Sequence, residues 1–230
     1  MLVATIKGRV GYAKLLSDSF EWLKVYDIAS VQLFVDETSE LSLSSVQEMF
    51  PRSQVHLVEH EFKPQTSPDI STRMAFEHFF HSCHEILLNV DSDSLLHPGW
   101  SHFVETHLDV SHGLISLYNS AVHRCTYFAD DYCIKGTIGA LGVVMTRDKV
   151  GEVLDHVPRR LGEFDWGFVR YFQSKNSTFV VPMKSLVLHY GMHGTNGDGR
   201  HPETAVDFDE SVLPESIRGR VAEFMMGRSP

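Results

Sequence analysis

Short continuous apolar runs alternate along the first half of the chain with stretches whose apolar residues recur at helical spacing. Leu2 to Ile6 is one such run, closed by Lys7-Gly8, and predicts a buried strand. Between Tyr12 and Lys24 the spacing of Leu15, Leu16, Phe20 and Leu23 predicts a helix. Val31, Leu33 and Val35 then alternate up to Asp36-Glu37-Thr38, a second strand. Leu43 to Phe50 reads as a short helix ended by Pro51, and Val55 to Val58 as a third strand. Pro64 and Pro68 make Glu61 to Asp69 a loop. Ser71 or Thr72 then caps a helix running to Ser82, with Met74, Phe76, Phe79 and Phe80 on its apolar side. Ile86-Leu87-Leu88-Asn89-Val90 follows, the pattern of a central parallel strand covered on both faces.

That order, β-α-β-α-β-α-β, implies a mostly parallel sheet with right-handed crossovers, strand order 3-2-1-4 and helices on both faces. The second half is smaller and mixed. Leu114 to Tyr118, Ala140 to Met145, Thr178 to Val181 and Leu186 to Leu188 read as strands; Arg147 to His156, Asp165 to Phe172 and Glu215 to Met226 read as helices. Neither a repeat nor a linker divides the chain, so one α/β domain is expected.

Composition narrows the functions open to such a domain. With 230 residues, 43% hydrophobic and 22% charged, the chain is of globular type and long enough to build a full core. A net charge of −10 without a basic stripe argues against nucleic acid as a partner. Cys83, Cys125 and Cys133 are odd in number and lack a CxxC spacing, which favours neither a disulfide framework nor a thiolate zinc site. The first apolar stretch is too short for a signal sequence and no run is long enough to span a membrane, so a soluble, cytoplasmic protein is expected.

The candidate chemistry begins at Asp91-Ser92-Asp93, directly after the most apolar strand. A D-x-D triplet alone carries little information. With 15 Asp in 230 residues chance supplies roughly one, and Asp207-Phe208-Asp209 is a second, in a polar tail that reads as a solvated turn. Position separates the two. Carboxylates at the mouth of a dry strand require a cation or hydrogen-bond donors. Ligands of open parallel sheets bind beyond the carboxyl ends of the strands, where two carboxylates form a hard-oxygen site suited to Mg²⁺ or Mn²⁺. The alternative is an Asx-turn or a helix cap before Pro98.

Asn89-Val90-Asp91-Ser92-Asp93-Ser94, preceded by the helical Ser71-Thr72-Arg73-Met74-Ala75-Phe76-Glu77, resembles the GT-A-fold glycosyltransferases, and family 2-like inverting members in particular. Two further segments extend the resemblance over most of residues 1 to 200. Gly162-Glu163-Phe164-Asp165-Trp166-Gly167-Phe168-Val169-Arg170 is similar to the motif that supplies the catalytic base, with Phe164 where a Glu is common. Ser185-Leu186-Val187-Leu188-His189-Tyr190-Gly191 is similar to the late strand whose terminal His completes the metal site.

The resemblance implies a GT-A-like, Rossmann-type fold in three parts: a nucleotide-binding half over 1–93, an acceptor half over 94–200, and a tail with a helix over 201–230. It implies a nucleoside-diphosphate sugar as donor and a glycan or lipid-linked glycan as acceptor. It gives Asp93 and His189 to the metal, with Asp91 beside them as a further ligand or a ribose contact. Imidazole makes Mn²⁺ a better match than Mg²⁺. His193 is an alternative to His189, in a glycine-rich segment that could close over a diphosphate. Asp165 is the implied general base, although an Asp at a helix start is also a favoured cap. Thr5, Asp36 and Arg73 are implied contacts to the nucleotide. A turn role for Asp36 and a surface charge for Arg73 stay open.

Two other functions fit the same residues: a nucleotidyltransferase, for which Lys7-Gly8-Arg9-Val10-Gly11 is a faint signature, and a non-catalytic nucleotide-sugar-binding module. The last helix offers an apolar side for peripheral membrane contact, for a partner subunit in a homo-oligomer, or for the domain itself.

Overall fold

A computed structural model describes residues 1–6, 10–37, 39–59, 67–158, 164–191 and 205–226, with residues 67–69 described for their backbone alone. The first half follows the expected alternation. β1 (Leu2–Ile6), α1 (Val10–Trp22), β2 (Val31–Asp36), α2 (Leu43–Met49), β3 (Gln54–Val58), α3 (Ser67–Phe80) and β4 (Ile86–Asp91) come in that order. The second half contains β5 (Ser94–Leu96), α4 (Trp100–His107), β6 (Leu114–Ser116), β7 (Cys125–Phe128), β8 (Tyr132–Lys135) and β9 (Val143–Thr146). It continues with α5 (Arg147–His156), α6 (Phe164–Ser174), β10 (Phe179–Pro182), β11 (Val187–His189) and α7 (Glu215–Met225).

Nine strands form one sheet in the order β3-β2-β1-β4-β9-β6-β10-β8-β7, with the expected 3-2-1-4 order as its first part. Those first four are parallel, β10 is parallel to β6, and only β8 and β9 run against the other strands. β5 and β11 pair separately and antiparallel.

Strand pleating sorts the side chains into two layers. Leu2, Ala4, Ile6, Leu33, Val35, Leu88 and Val90 meet α1, α2 and α4 through residues such as Leu16, Phe20, Val46 and Phe103. On the opposite face Val3, Phe34 and Leu87 meet α3, α5 and α6 through Phe76, Phe79, Val153, Phe168 and Phe172. This two-sided cover explains why β1, β2 and β4 read as continuous apolar runs.

A third, smaller cluster lies outside these layers. Ile217, Val221 and Phe224 of α7 are buried with Tyr12, Leu15, Leu95, Leu188 and Tyr190. The apolar side that the sequence offered to a membrane therefore packs on α1, β5 and β11, and Arg220 adds an ion pair to Asp18 at 2.7 Å.

Several boundaries differ from expectation. α3 begins at Ser67 rather than beside Ser71, with Pro68 in its first turn, where the missing N–H has no helical partner to lose. β6 stops at Ser116, and β9 starts only at Val143 because Gly142 turns into it with φ +69°. A Cβ at Gly142 would meet Val187 Cγ2 at 2.9 Å and the Tyr118 nitrogen at 3.1 Å, so the turn needs glycine for both conformation and space. Cys125 and Cys133 are joined as a disulfide across the β7–β8 hairpin, a pairing the odd cysteine count did not favour. Hairpin pairing brings the two together, and Cys83 is the cysteine left over. No helix among the described residues is long and apolar enough to cross a membrane.

Phe76 is fully buried, with its ring 5.4 Å from Phe164 and 6.3 Å from Phe168. Phe76→Ala is expected to lower the unfolding free energy by about 3–5 kcal/mol, measured by urea denaturation. Stability should also depend on pH. Burial, and secondarily the neighbouring His78, hold the His56 imidazole below its usual 6.5; His84 and His97 are lowered by burial as well. The unfolded chain takes up these protons near pH 6.5, whereas the folded protein does so only at lower pH. Their contribution is therefore complete above pH 6.5 and is lost as the pH falls through the folded values. Urea midpoints should decline below that pH, and less steeply in His56→Gln.

Candidate active site

Thr5, Asp36 and Asp91 close three neighbouring strands, each in phase with a residue packed under α3: Val3, Phe34 and Leu87 respectively. All three polar side chains therefore gather on one face at the carboxyl edge of the sheet. The Thr5 hydroxyl donates to Asp91 Oδ1 at 2.5 Å. The Ser71 hydroxyl, from α3, donates to Asp36 Oδ2 at 3.3 Å, and Asp36 is only 1% exposed.

After Asp91 the chain turns sharply, and its backbone polar groups are met one by one. Ser92 N–H donates to Thr5 O at 3.0 Å, and the Ser94 hydroxyl donates to Asp91 O at 2.7 Å. Tyr190 supplies two more bonds, from its N–H to Asp93 O at 3.0 Å and from its hydroxyl to Ser92 O at 3.2 Å. Burial first, then the Asp93 charge and Tyr12, push the Tyr190 hydroxyl well above its usual value, which keeps it a donor.

The β5–β11 pair brings the third element in. Ser94 lies opposite His189, so the strand after the turn and the late strand share one register. His189 Nε2 stands 3.4 Å from Asp93 Oδ2, with side chains 32% and 18% exposed, open enough to meet a ligand. Gly191 lies directly against Asp93: a Cβ there would overlap the Asp93 carboxylate.

The structure thus unites Asp93 with His189, and separately Asp91 with Thr5. Among the described residues no three His, Cys, Asp or Glu side chains converge into a metal-holding group; of the three expected ligands, Asp93 and His189 face each other. A carboxylate oxygen and an imidazole nitrogen are donors that could hold a divalent ion together with oxygen ligands from outside the protein. His193 lies outside the described residues.

Arg73 takes a position the sequence did not indicate. Its Nε donates to Glu77 at 2.9 Å, while Nη1 and Nη2 donate to the carbonyls of Val157 and Leu154 at 2.5 and 3.3 Å. The guanidinium lies 5.6 Å over the Phe164 ring. It joins α3 to the end of α5 and the start of α6, a favourable place for a cation at a helix C-terminus.

Asp165 stands in the first turn of α6, its Oδ1 accepting from the Trp166 N–H at 2.7 Å. Trp166 is 44% exposed, and its indole lies 6.3 Å from the buried His123 ring, which contacts the Thr137 hydroxyl at 3.0 Å. Sequence reasoning missed His123 and Tyr190. His123 carries no local signal, whereas Tyr190 was marked by its place between His189 and Gly191. Asp207-Phe208-Asp209 behaves as the solvated turn expected of it, with Asp209 exposed and accepting from Ser211 N at 3.0 Å. Two cavities of about 300 and 270 Å³ open at the opposite ends of the strands, near Asn176 and Met1, away from all these residues.

The sequence matches no protein-family model and no curated protein. Its fold does match solved structures. S. aureus TarS, a glycosyltransferase, aligns with a TM-score of 0.54 over 99% of this chain at 13% identity. This chain spans 43% of that TarS chain. The structure of S. aureus TarS 1-349 gives 0.53 at 12% identity, covering 99% of this chain and 71% of that one. A putative glucose-1-phosphate thymidylyltransferase from Bacillus anthracis, in complex with a sucrose, gives 0.51 at 10% identity, covering 92% of this chain and 99% of that one. The chain has a GT-A-like, Rossmann-type α/β fold.

Within that fold Arg73 is a clamp between helices. Arg73→Met is expected to cost about 1.5–3 kcal/mol in urea denaturation, as the loss of charged hydrogen bonds does. A surface arginine would stay within about 0.5 kcal/mol. Arg73→Lys should recover only part, since one ammonium cannot reach all three acceptors.

Proposed function

We propose that the protein is a glycosyltransferase that moves a sugar from a nucleoside-diphosphate donor to an acceptor hydroxyl, with inversion at the anomeric carbon. The observation that carries this reading is the 3.4 Å approach of His189 to Asp93 at the carboxyl edge of the central strands. The Thr5–Asp91 bond holds the residue two positions before Asp93. The fold shared with TarS supports the reading without deciding it.

In this reading Asp93 and His189 would hold Mn²⁺ or Mg²⁺, whose charge would offset that gathering on a departing diphosphate. Thr5 fixes the rotamer of Asp91, so that the other carboxylate oxygen of Asp91 faces the ribose or a water. Asp36, buried at the end of β2, forms the floor under the nucleoside. Asp165 accepts the proton of the acceptor hydroxyl as that oxygen attacks. The N-terminal turn of α6 favours its ionised form, which a base requires. Exposed Trp166, beside His123 and Thr137, forms one wall for the acceptor. A glycan, free or lipid-linked, matches such an aromatic wall.

One observation favours a second reading. The thymidylyltransferase is covered over 99% of its length, whereas the longer TarS chain is covered over 43%. A nucleotidyltransferase would join a nucleoside triphosphate to a sugar phosphate with loss of pyrophosphate.

The product separates the readings. Incubation with common nucleotide sugars and Mn²⁺ should release a nucleoside diphosphate, with a product of inverted anomeric configuration by NMR. Release of pyrophosphate from a nucleoside triphosphate would replace the first reading with the second. Asp165→Ala should lower turnover by about 10²–10⁴-fold with donor affinity retained. Asp93→Ala should lose both, read by calorimetry with the donor and Mn²⁺.

A further inference from the structure

We propose that Tyr190 and Gly191 are positioning residues for the acidic turn, forming a template against which Asp91-Ser92-Asp93 is set so that Asp93 meets His189. The proposal rests on the reading of Asp93 and His189 as cation ligands. It assigns a role to two residues that contribute no side-chain donor to that cation.

Asp93 lies two residues beyond the last residue of β4, and three-residue β5 is too short to fix a carboxylate by itself. The bonds that fix it come from far along the chain. Tyr190 N–H holds Asp93 O at 3.0 Å and the Tyr190 hydroxyl holds Ser92 O at 3.2 Å, so one residue binds two successive carbonyls of the turn. The two bonds, from one ring hydroxyl and its own backbone, hold the two peptide units on either side of the Asp93 Cα.

The Tyr190 ring is itself fully buried. It is locked between Tyr12 of α1, with centroids 5.6 Å apart, and Phe224 of α7, at 5.7 Å. Tyr12 and Phe224 are also in contact at 4.7 Å, which closes an aromatic triangle behind the turn. The hydroxyl thus reaches Ser92 from a ring that is closely packed on both of these neighbours.

Gly191 completes the template sterically. The volume a Cβ would fill there is occupied by the Asp93 carboxylate. Any side chain at 191 must therefore push Asp93 away, and with it the oxygen that faces His189. Bond from behind and space in front together leave Asp93 one orientation.

The test is a Mn²⁺ titration of the full chain, followed by electron paramagnetic resonance of free Mn²⁺, alongside urea denaturation. Tyr190→Phe keeps the ring and removes only the bond to Ser92. It should weaken Mn²⁺ binding about tenfold, as loss of an outer-shell partner does. Gly191→Ala should weaken it to the level of Asp93→Ala. Val46→Ala, on the buried face of α2, serves as a destabilised control and should bind as the wild type does. If the wild type binds Mn²⁺ and both Tyr190→Phe and Gly191→Ala bind it within twofold as tightly, the template is refuted while the cation reading stands. A loss in Val46→Ala equal to that in Tyr190→Phe reduces the effect to general stability and also refutes it. If the wild type takes up no Mn²⁺, the cation reading falls first and the template with it.

Discussion

A carboxylate placed at the end of a strand that is dry on both faces must find hydrogen-bond donors or a cation, and the residues around Asp91 and Asp93 are arranged to meet that demand. β4 is central because its neighbours on either side are β1 and β9, with helices above and below. Its last residue accepts from the Thr5 hydroxyl, the next donates its N–H to the Thr5 carbonyl, and the carbonyl of the one after accepts from Tyr190 N–H. Three separate parts of the chain are thereby fixed relative to one another. The satisfaction of one polar turn determines where β11 must run, and β11 in turn determines where α7 can pack.

The two faces of the sheet divide the work. Apolar residues of α1, α2 and α4 close the face away from Thr5, Asp36 and Asp91. The other face is closed by α3, α5 and α6, and the same helices carry Ser71 to Asp36 and Asp165 in the first turn of α6. Arg73 ties those three helices together through the end carbonyls of α5 and the Phe164 ring. A residue that reads in sequence as a phosphate contact thus serves to hold the frame in which Asp165 sits.

The first half of the fold was legible because its signals are local. Continuous apolar runs in β1, β2 and β4 and helical spacing in α1 need no knowledge of distant residues, and the D-x-D stood out by its place after β4. The second half was harder for physical reasons. β5 and β11 are three residues each and exist only because they pair with each other. β7 is almost wholly exposed, so it shows no alternation of apolar and polar positions. The disulfide follows from hairpin pairing and not from cysteine number. At the site, the approach of His189 to Asp93 was anticipated through resemblance. The bonds of Tyr190 and the closeness of Gly191 were not, since a buried tyrosine and a glycine carry no chemistry until their neighbours are known.

The wrapping of α7 onto α1 has a consequence for how the protein is made. Asp91 and Asp93 leave the ribosome early, yet the ring that holds their turn belongs to β11's end and is locked by Phe224, close to the last described residues. During synthesis Asp91 finds the Thr5 hydroxyl as soon as β4 emerges, but the turn that carries Asp93 waits for Tyr190, whose hydroxyl reaches Ser92 from 98 residues further along the chain. Vectorial synthesis therefore makes the β3-β2-β1-β4 part of the sheet first and sets the acidic turn last, and a truncation that removes α7 would leave the Tyr190 ring without Phe224.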